Sequence, residues 1–324
     1  MQKKIPHIAM KFAESYNKII MSGENTTDKT QPETSFKGVI ILLVTAIIWG
    51  SSFVSQSVGS KSVEPFTFMG IRTLIGATFL VPFIIITKRK VNLKTILCGT
   101  VMGLFLCVAT NIQQFAFNYS TAGKIAFCTA SYMFFIPVAE LFIGKKAGKI
   151  TWLCVLLGFC GLYFLCFKGG DDFSLNRGDL LAVICALFFT GQIMCIDKFT
   201  EDCDGIVLSC VEFYTAGIIT TILMLIFEKP EWQGIKSAGT AILYSGVMSC
   251  GIAYTLQVIG QKYCEATIAS LLMCMESVFA VITSAIMLHE KLTGREILGS
   301  AIMFSAIVIS QLAPKFTAKK EVRG

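Results

Sequence analysis

Glu276 stands in the middle of an apolar stretch, residues 266–288, and Arg72 stands in another, residues 66–87. A charge at the centre of a bilayer costs about 2.5–3.5 kcal/mol even on the lenient insertion scale, so each such residue needs a reason to be there. Glu276 lies ten residues into its stretch, roughly 15 Å along a helix axis, which is the midplane of a membrane. A carboxyl at that depth suits a proton carrier or an amine-binding group, or it pairs to hold helices together. Arg72 is six residues from the start of its stretch, and its guanidinium matches a carboxylate by a two-pronged fork. Glu212 is its counterpart 140 positions later, but six residues in from the opposite face. The two are then about 12 Å apart along the membrane normal, too far to pair, and Glu212 is expected to snorkel in a structural role. Glu140, next to Lys145 at the end of its stretch, reads as an interfacial ion pair.

Uncharged polar groups extend the set. Asn111, Gln113, Gln114, Gln192 and Gln257 place amides inside apolar stretches. Amides glue helices together by hydrogen bonds, or they line a wet cavity. Trp49, Tyr132 and Tyr254 could build an aromatic wall against a flat or apolar molecule, although each is also ordinary packing material. The substrate-pathway candidates are therefore Trp49, Arg72, Gln114, Tyr132, Gln192, Tyr254, Gln257 and Glu276, with Glu276 the candidate for proton coupling. No catalytic constellation and no metal site is expected. The two histidines lie far apart and outside the stretches, and most of the 13 cysteines lie inside them without a CxxC, as small hydrophobes. No GxxxxGK[ST] loop is present to bind a nucleotide.

These residues need helices to position them. Ten apolar runs span 38–59, 66–87, 95–117, 123–143, 150–167, 178–197, 206–227, 237–259, 266–288 and 294–313. About 20 helical residues cross a hydrocarbon core of roughly 30 Å, and the runs lack the alternation of barrel strands. The chain of 324 residues is 54% hydrophobic and only 15% charged, so an all-α integral membrane protein is expected. The net charge of +7 is not a nucleic-acid footprint. With the N-terminus inside, 19 of the 28 Lys and Arg fall on cytoplasmic segments and eight on outer loops. That bias puts both termini in the cytoplasm of a multi-pass plasma (inner) membrane protein. Residues 1–37 form a cytoplasmic tail without a secretory signal. Within it Ile5, Ile8, Phe12, Tyr16 and Ile19 recur at helical spacing among lysines, as in a helix lying on an anionic leaflet, or in a tail with accidental periodicity. Residues 314–324 form the other tail. Gly99 with Gly103, and Gly158 with Gly161, make small-residue faces for close helix contact, within one chain or between two copies.

The second half repeats the first. Gly38 to Phe53 aligns with Gly178 to Ile193 at an offset of 140, and Phe134, Lys146 and Leu153 align with Phe279, Lys291 and Leu298 at 145. The units are 38–168 and 178–313, five helices each. An odd count inverts the second unit, giving ten helices as two inverted five-helix repeats. Secondary transporters recurrently use this plan, with a substrate site at the midplane between the repeats.

Several motifs carry a family resemblance over about residues 36–313. They are Trp49-Gly50-Ser51-Ser52-Phe53, Glu64-Pro65-Phe66 leading to Arg72, Thr121-Ala122-Gly123-Lys124, and Ile136-Pro137-Val138. Further on come Glu276-Ser277-Val278-Phe279-Ala280, Glu290-Lys291-Leu292-Thr293 and Gly299. In their order and spacing the chain resembles the ten-helix EamA branch of the drug/metabolite transporter superfamily. Ser277 replaces the usual proline, which weakens the argument for a kink in the ninth helix, while Pro137 still supplies one in the fourth. Lys145-Lys146 replaces a glutamate common after the fourth helix. The resemblance implies export of amino acids, other metabolites or drugs. The function expected is a secondary active exporter of small metabolites working by alternating access; the alternative is an uncoupled facilitator or channel. The expected partners are a small-molecule substrate, the lipid bilayer and candidate coupling protons, in a monomer or homodimer, with no nucleic acid and no cofactor.

Overall fold

The computed structural model describes residues 34–120, 122–145, 148–166, 176–288 and 293–321. The N-terminal periodic stretch, Thr121, Lys146 and Glu290 to Leu292 lie outside the described residues. Every regular element described is helical. In chain order they are α1 (Phe36–Gly59), α2 (Pro65–Ile86), α3 (Leu93–Ala116), α4 in two pieces (Ala122–Thr129 and Tyr132–Phe142) and α5 (Lys149–Cys166). Then come α6 (Arg177–Phe199), α7 (Gly205–Phe227) and α8, which runs as Gly239–Tyr244, a π-helical Ser245–Tyr254 and Thr255–Gln261. A short helix, Trp232–Ser237, precedes α8; α9 is again in two pieces (Ala266–Met273 and Met275–Leu288), and α10 is Gly294–Glu321. Among the described residues eight of these, α1 to α4 and α6 to α9, are long and apolar enough to cross a membrane. α5 is apolar but shorter, and it packs along α10. The chain is an all-α, multi-pass membrane protein.

Polar residues at the apolar runs' edges set the helix ends. Asn92 caps α3 by accepting from Thr95 N at 2.8 Å, and Asn176 with Asp179 forms a reciprocal capping box on α6. Asp204 caps α7 through Ile206 N and Val207 N, at 3.0 and 3.2 Å. α2 opens on Pro65 and has no cap of its own. Its first amides are capped from the other end of the chain: Phe66 N and Thr67 N each donate to the Glu228 carboxylate at 2.7 Å. At the far end of the same pair Arg89, just past α2, bonds Asp204, which caps α7. Thus α2 and α7 are fastened to each other at both ends.

The packing repeats when the halves are exchanged. α2 lies on α7 and α5 on α10; α3 on α6 is matched by α8 on α1, α3 on α7 by α8 on α2, and α4 on α6 by α9 on α1. Small residues permit the closest of these approaches. A side chain at Gly103 would come within 2.6 Å of Glu212 O on α7, and one at Gly161 within 2.8 Å of Gly299 O on α10. The small-residue faces predicted from sequence are used inside the chain.

Three local features depart from the sequence expectation. α4 breaks at Ala130–Ser131, ahead of Pro137, which lies within the helical piece Tyr132–Phe142. α9 breaks at Cys274 with no proline present, where the serine at 277 had weakened the argument for a kink. The π-helical stretch of α8 was not foreseen. It contains Gly246 and Gly251 and packs on α2, where Gly76 leaves no room for a side chain against Cys250 and Gly246 O.

Candidate functional site

The two helix breaks meet. Cys274 Sγ donates to Ala130 O at 3.9 Å, and the residues flanking each break, Thr129 and Tyr132 on α4, Met273 and Glu276 on α9, line one cavity. The cavity is narrow, with about 40 Å³ open to the centre of a water-sized sphere, room for a few waters. α1 contributes Trp49, Phe53 and Gln56; α2 contributes Arg72; α3 contributes Gln113. α6 adds Phe189, Gln192 and Ile193, and α8 adds Ser249, Tyr254 and Gln257, the first two on its π-helical part. Seven of the eight sequence candidates therefore share one cavity. Gln114 does not line it, although it is buried. Successive helical residues point about 100° apart, so the lining glutamine is its neighbour Gln113.

The lining comes in repeat-related pairs. Trp49 and Phe189, and Phe53 and Ile193, are 140 positions apart; Gln113 and Gln257, Thr129 and Met273, and Tyr132 and Glu276 are 144 apart. Sequence reading named Gln113 among the amides but left it out of the pathway set, and it missed Phe53, Gln56, Thr129, Phe189, Ile193, Ser249 and Met273. The offsets read from the sequence, 140 and 145, lead from Gln257 to Phe117 and Ile112, and only the offset of 144 seen in the structure leads to Gln113. Trp49/Phe189, Phe53/Ile193 and Gln113/Gln257 keep their chemical class, whereas Thr129/Met273 and Tyr132/Glu276 do not, so the two sides of the cavity differ at the helix breaks.

Hydrogen bonding around this cavity is incomplete. Arg72 is 2% exposed, and its Nε and Nη1 have no acceptor among the described residues. The Phe68 ring lies 5.8 Å from its guanidinium carbon. Trp49 Nε1, Tyr132 Oη and Gln257 Oε1 are likewise buried and unpartnered. Glu276 is 6% exposed and enters no ion pair with a described residue. Buried polar groups are nearly always bonded, and each left open costs about 1–3 kcal/mol. The aromatic side is well packed: Trp49 and Tyr254 meet edge to face at 4.6 Å, and Phe213 backs Tyr254 at 5.5 Å.

One polar residue behaves otherwise than predicted, and another forms its predicted ion pair but has a nearer partner. Glu212 does not snorkel. It is fully buried on α7 and accepts from Gln192 Nε2 at 2.8 Å. Its side chain turns to Gln192 on α6, and α3 packs closely on α7 at this level, where a side chain at Gly103 would meet Glu212 O. No ion pair joins it to Arg72, as its depth implied. Glu140 lies 4.0 Å from Lys145, but its near partner is Thr267, whose hydroxyl donates at 2.6 Å, while Lys145 turns to Asp197 at 2.8 Å.

The sequence profile of the EamA-like transporter family matches this chain twice, over residues 36–167 and 176–312. The chain belongs to the EamA-like transporter family. An uncharacterized transporter of Archaeoglobus fulgidus is 26% identical over 272 residues, 84% of each chain. YoaV, an uncharacterized transporter of Bacillus subtilis, is 22% identical across 85% of this chain and 96% of its own. An uncharacterized inner membrane transporter of Escherichia coli is 24% identical across 63% of this chain and 68% of its own. A solved crystal structure superposes with a TM-score of 0.74 at 16% identity, covering 85% of this chain and 98% of that one, which is a likeness of fold. Membership in a transporter family gives the cavity of this EamA-family chain its context: a polar space inside a membrane bundle.

Proposed function

We propose that this EamA-family protein is a secondary active exporter of small metabolites, amino acids or close relatives, working by alternating access across the plasma membrane. The observation that carries the reading is the set of unpartnered buried polar atoms on residues from both halves around one cavity: Trp49 Nε1, Arg72 Nε and Nη1, Tyr132 Oη and Gln257 Oε1. A ligand with a carboxylate satisfies Arg72 by a charge-assisted fork. A ligand with an ammonium finds Glu276, and an apolar side chain finds Trp49, Phe53 and Phe189. A zwitterion of amino-acid type meets all three demands.

Ten crossings as two inverted repeats accord with the exchange symmetry of the packing, and broken helices at equivalent positions are a recurrent feature of midplane sites. The loop charges favour cytoplasmic termini. Arg72 serves as the carboxylate clamp and Glu276 as the proton-carrying or amine-binding group. No catalytic step is assigned to either.

The test is uptake of radiolabelled amino acids into proteoliposomes, with and without an imposed proton gradient, for the wild type and Glu276→Gln. Gradient-driven accumulation that is lost in Glu276→Gln, at equal protein incorporation, supports the reading. Equilibration that ignores the gradient would make the protein an uncoupled facilitator, and unchanged coupling in Glu276→Gln would remove that residue from the mechanism.

A further inference from the structure

Glu212 lies outside the cavity lining yet touches it through one residue. Its Oε1 accepts from Gln192 Nε2 at 2.8 Å, and Gln192 Oε1 accepts from Gln257 Nε2 at 3.4 Å. Gln192 and Gln257 both line the cavity, and Gln257 Oε1 has no partner. The three side chains form a hydrogen-bond chain with one direction. Every NH2 group points back toward Glu212, and every amide carbonyl points away from it.

The direction has a chemical origin. An ionised carboxylate only accepts hydrogen bonds, whereas a side-chain amide presents a donor at one end and an acceptor at the other. Even with a proton on Oε2, which has no described partner, Oε1 remains an acceptor. Glu212 therefore holds the NH2 of Gln192 toward itself. Gln192 in turn orients Gln257, and the chain ends in an open carbonyl oxygen. That wall of the cavity, with the Glu276 carboxylate also in the lining, is rich in acceptors and short of donors.

We infer that Glu212 is a positioning residue that sets the polarity of the Gln192–Gln257 wall, and that this wall selects substrates carrying a free primary ammonium group. The inference rests on the amino-acid reading above and specifies which end of the substrate this side reads. Glutamine at position 212 would undo the direction, because two facing amides bond equally well in either orientation. A polar site discriminates when the wrong ligand leaves its groups unpaired, and it stops discriminating when those groups can turn over.

The experiment is equilibrium binding to the purified full chain of L-phenylalanine and of 3-phenylpropanoate, which keeps the carboxylate and ring but lacks the amine. The wild type is expected to favour L-phenylalanine by roughly tenfold or more. In Glu212→Gln the preference should fall below about threefold, while Glu212→Asp, still an acceptor, retains most of it. Gln192→Leu should by itself lower the preference as far as Glu212→Gln does, the Glu276 carboxylate keeping the remainder, and adding Glu212→Gln to it should change nothing further. An undiminished preference in folded Glu212→Gln, or in Gln192→Leu should the first variant fail to fold, overturns the inference and leaves the amino-acid reading standing. A wild type without the preference overturns both.

Discussion

At the end of the bundle where α4 stops and α9 starts, buried and half-buried polar groups are matched to one another. Lys145 reaches Asp197 on α6 at 2.8 Å, and Thr267 on α9 donates to Glu140 on α4 at 2.6 Å. Further into the bundle, around the cavity, the matching is partial: Gln192 bonds Glu212 at 2.8 Å, but other polar groups stay open. The open groups there, on Arg72, Trp49, Tyr132 and Gln257, come from α2, α1, α4 and α8. One fold, built from the same helices, satisfies its polar groups in one place and leaves them open in another. Paired groups join α4 of the first half to α6 and α9 of the second. Open groups, each costing about 1–3 kcal/mol, are tolerable where a ligand will complete them.

The comparison breaks or sharpens most strongly at Arg72. Replacing it with methionine should lower substrate uptake by roughly a hundredfold or more, because a buried charge-assisted contact is lost, without lowering the unfolding temperature. Uptake that survives in a less stable protein would mean that Arg72 belongs with the structural groups. Asp197→Asn should do the reverse. It removes Lys145's nearest counter-charge and should cost about 1–2 kcal/mol of stability by denaturant titration, with uptake per folded molecule held within about twofold. A large loss of uptake at unchanged stability would move this cluster into the transport cycle.

The smallest effect is a pH dependence. Glu265, in the short connection between α8 and α9, has its carboxyl pushed above the ordinary range by burial and by the Glu140 charge, with Lys145 opposing. The folded state holds that proton more tightly than the unfolded chain. Its contribution is therefore full at low pH and is lost as pH rises from the ordinary carboxyl range through the raised value. The thermal midpoint of Glu265→Gln should accordingly decline less between pH 5 and pH 8 than that of the wild type, and parallel curves would refute the assignment.

Much of this could be read from residue order. Apolar runs located α1 within two residues of Phe36–Gly59, and a lone charge in such a run was enough to single out Arg72 and Glu276. What could not be read depended on facing. Choosing Gln114 over Gln113 was an error of one position, about 100° of helix rotation, and only the neighbouring helices settle which side is inward. The breaks at Ala130–Ser131 and Cys274 carry no proline, because they arise where two helices cross and touch, a contact between residues far apart in sequence. Glu212 looked able to reach the surface, but its side chain turns inward to Gln192, a partner 20 positions away on another helix.

The exchanged caps between α2 and α7 bear on how the protein is made. During synthesis α2 emerges long before Glu228 exists, so the amides of Phe66 and Thr67 wait without their acceptors until α7 is complete. Arg89 waits equally for Asp204. The first half thus enters the bilayer as an unfinished object, and the last turn of α7 completes it. A ribosome stalled between the halves would leave a fragment marked for quality control by its own open helix end, and each half supplied separately would carry the part that the other lacks.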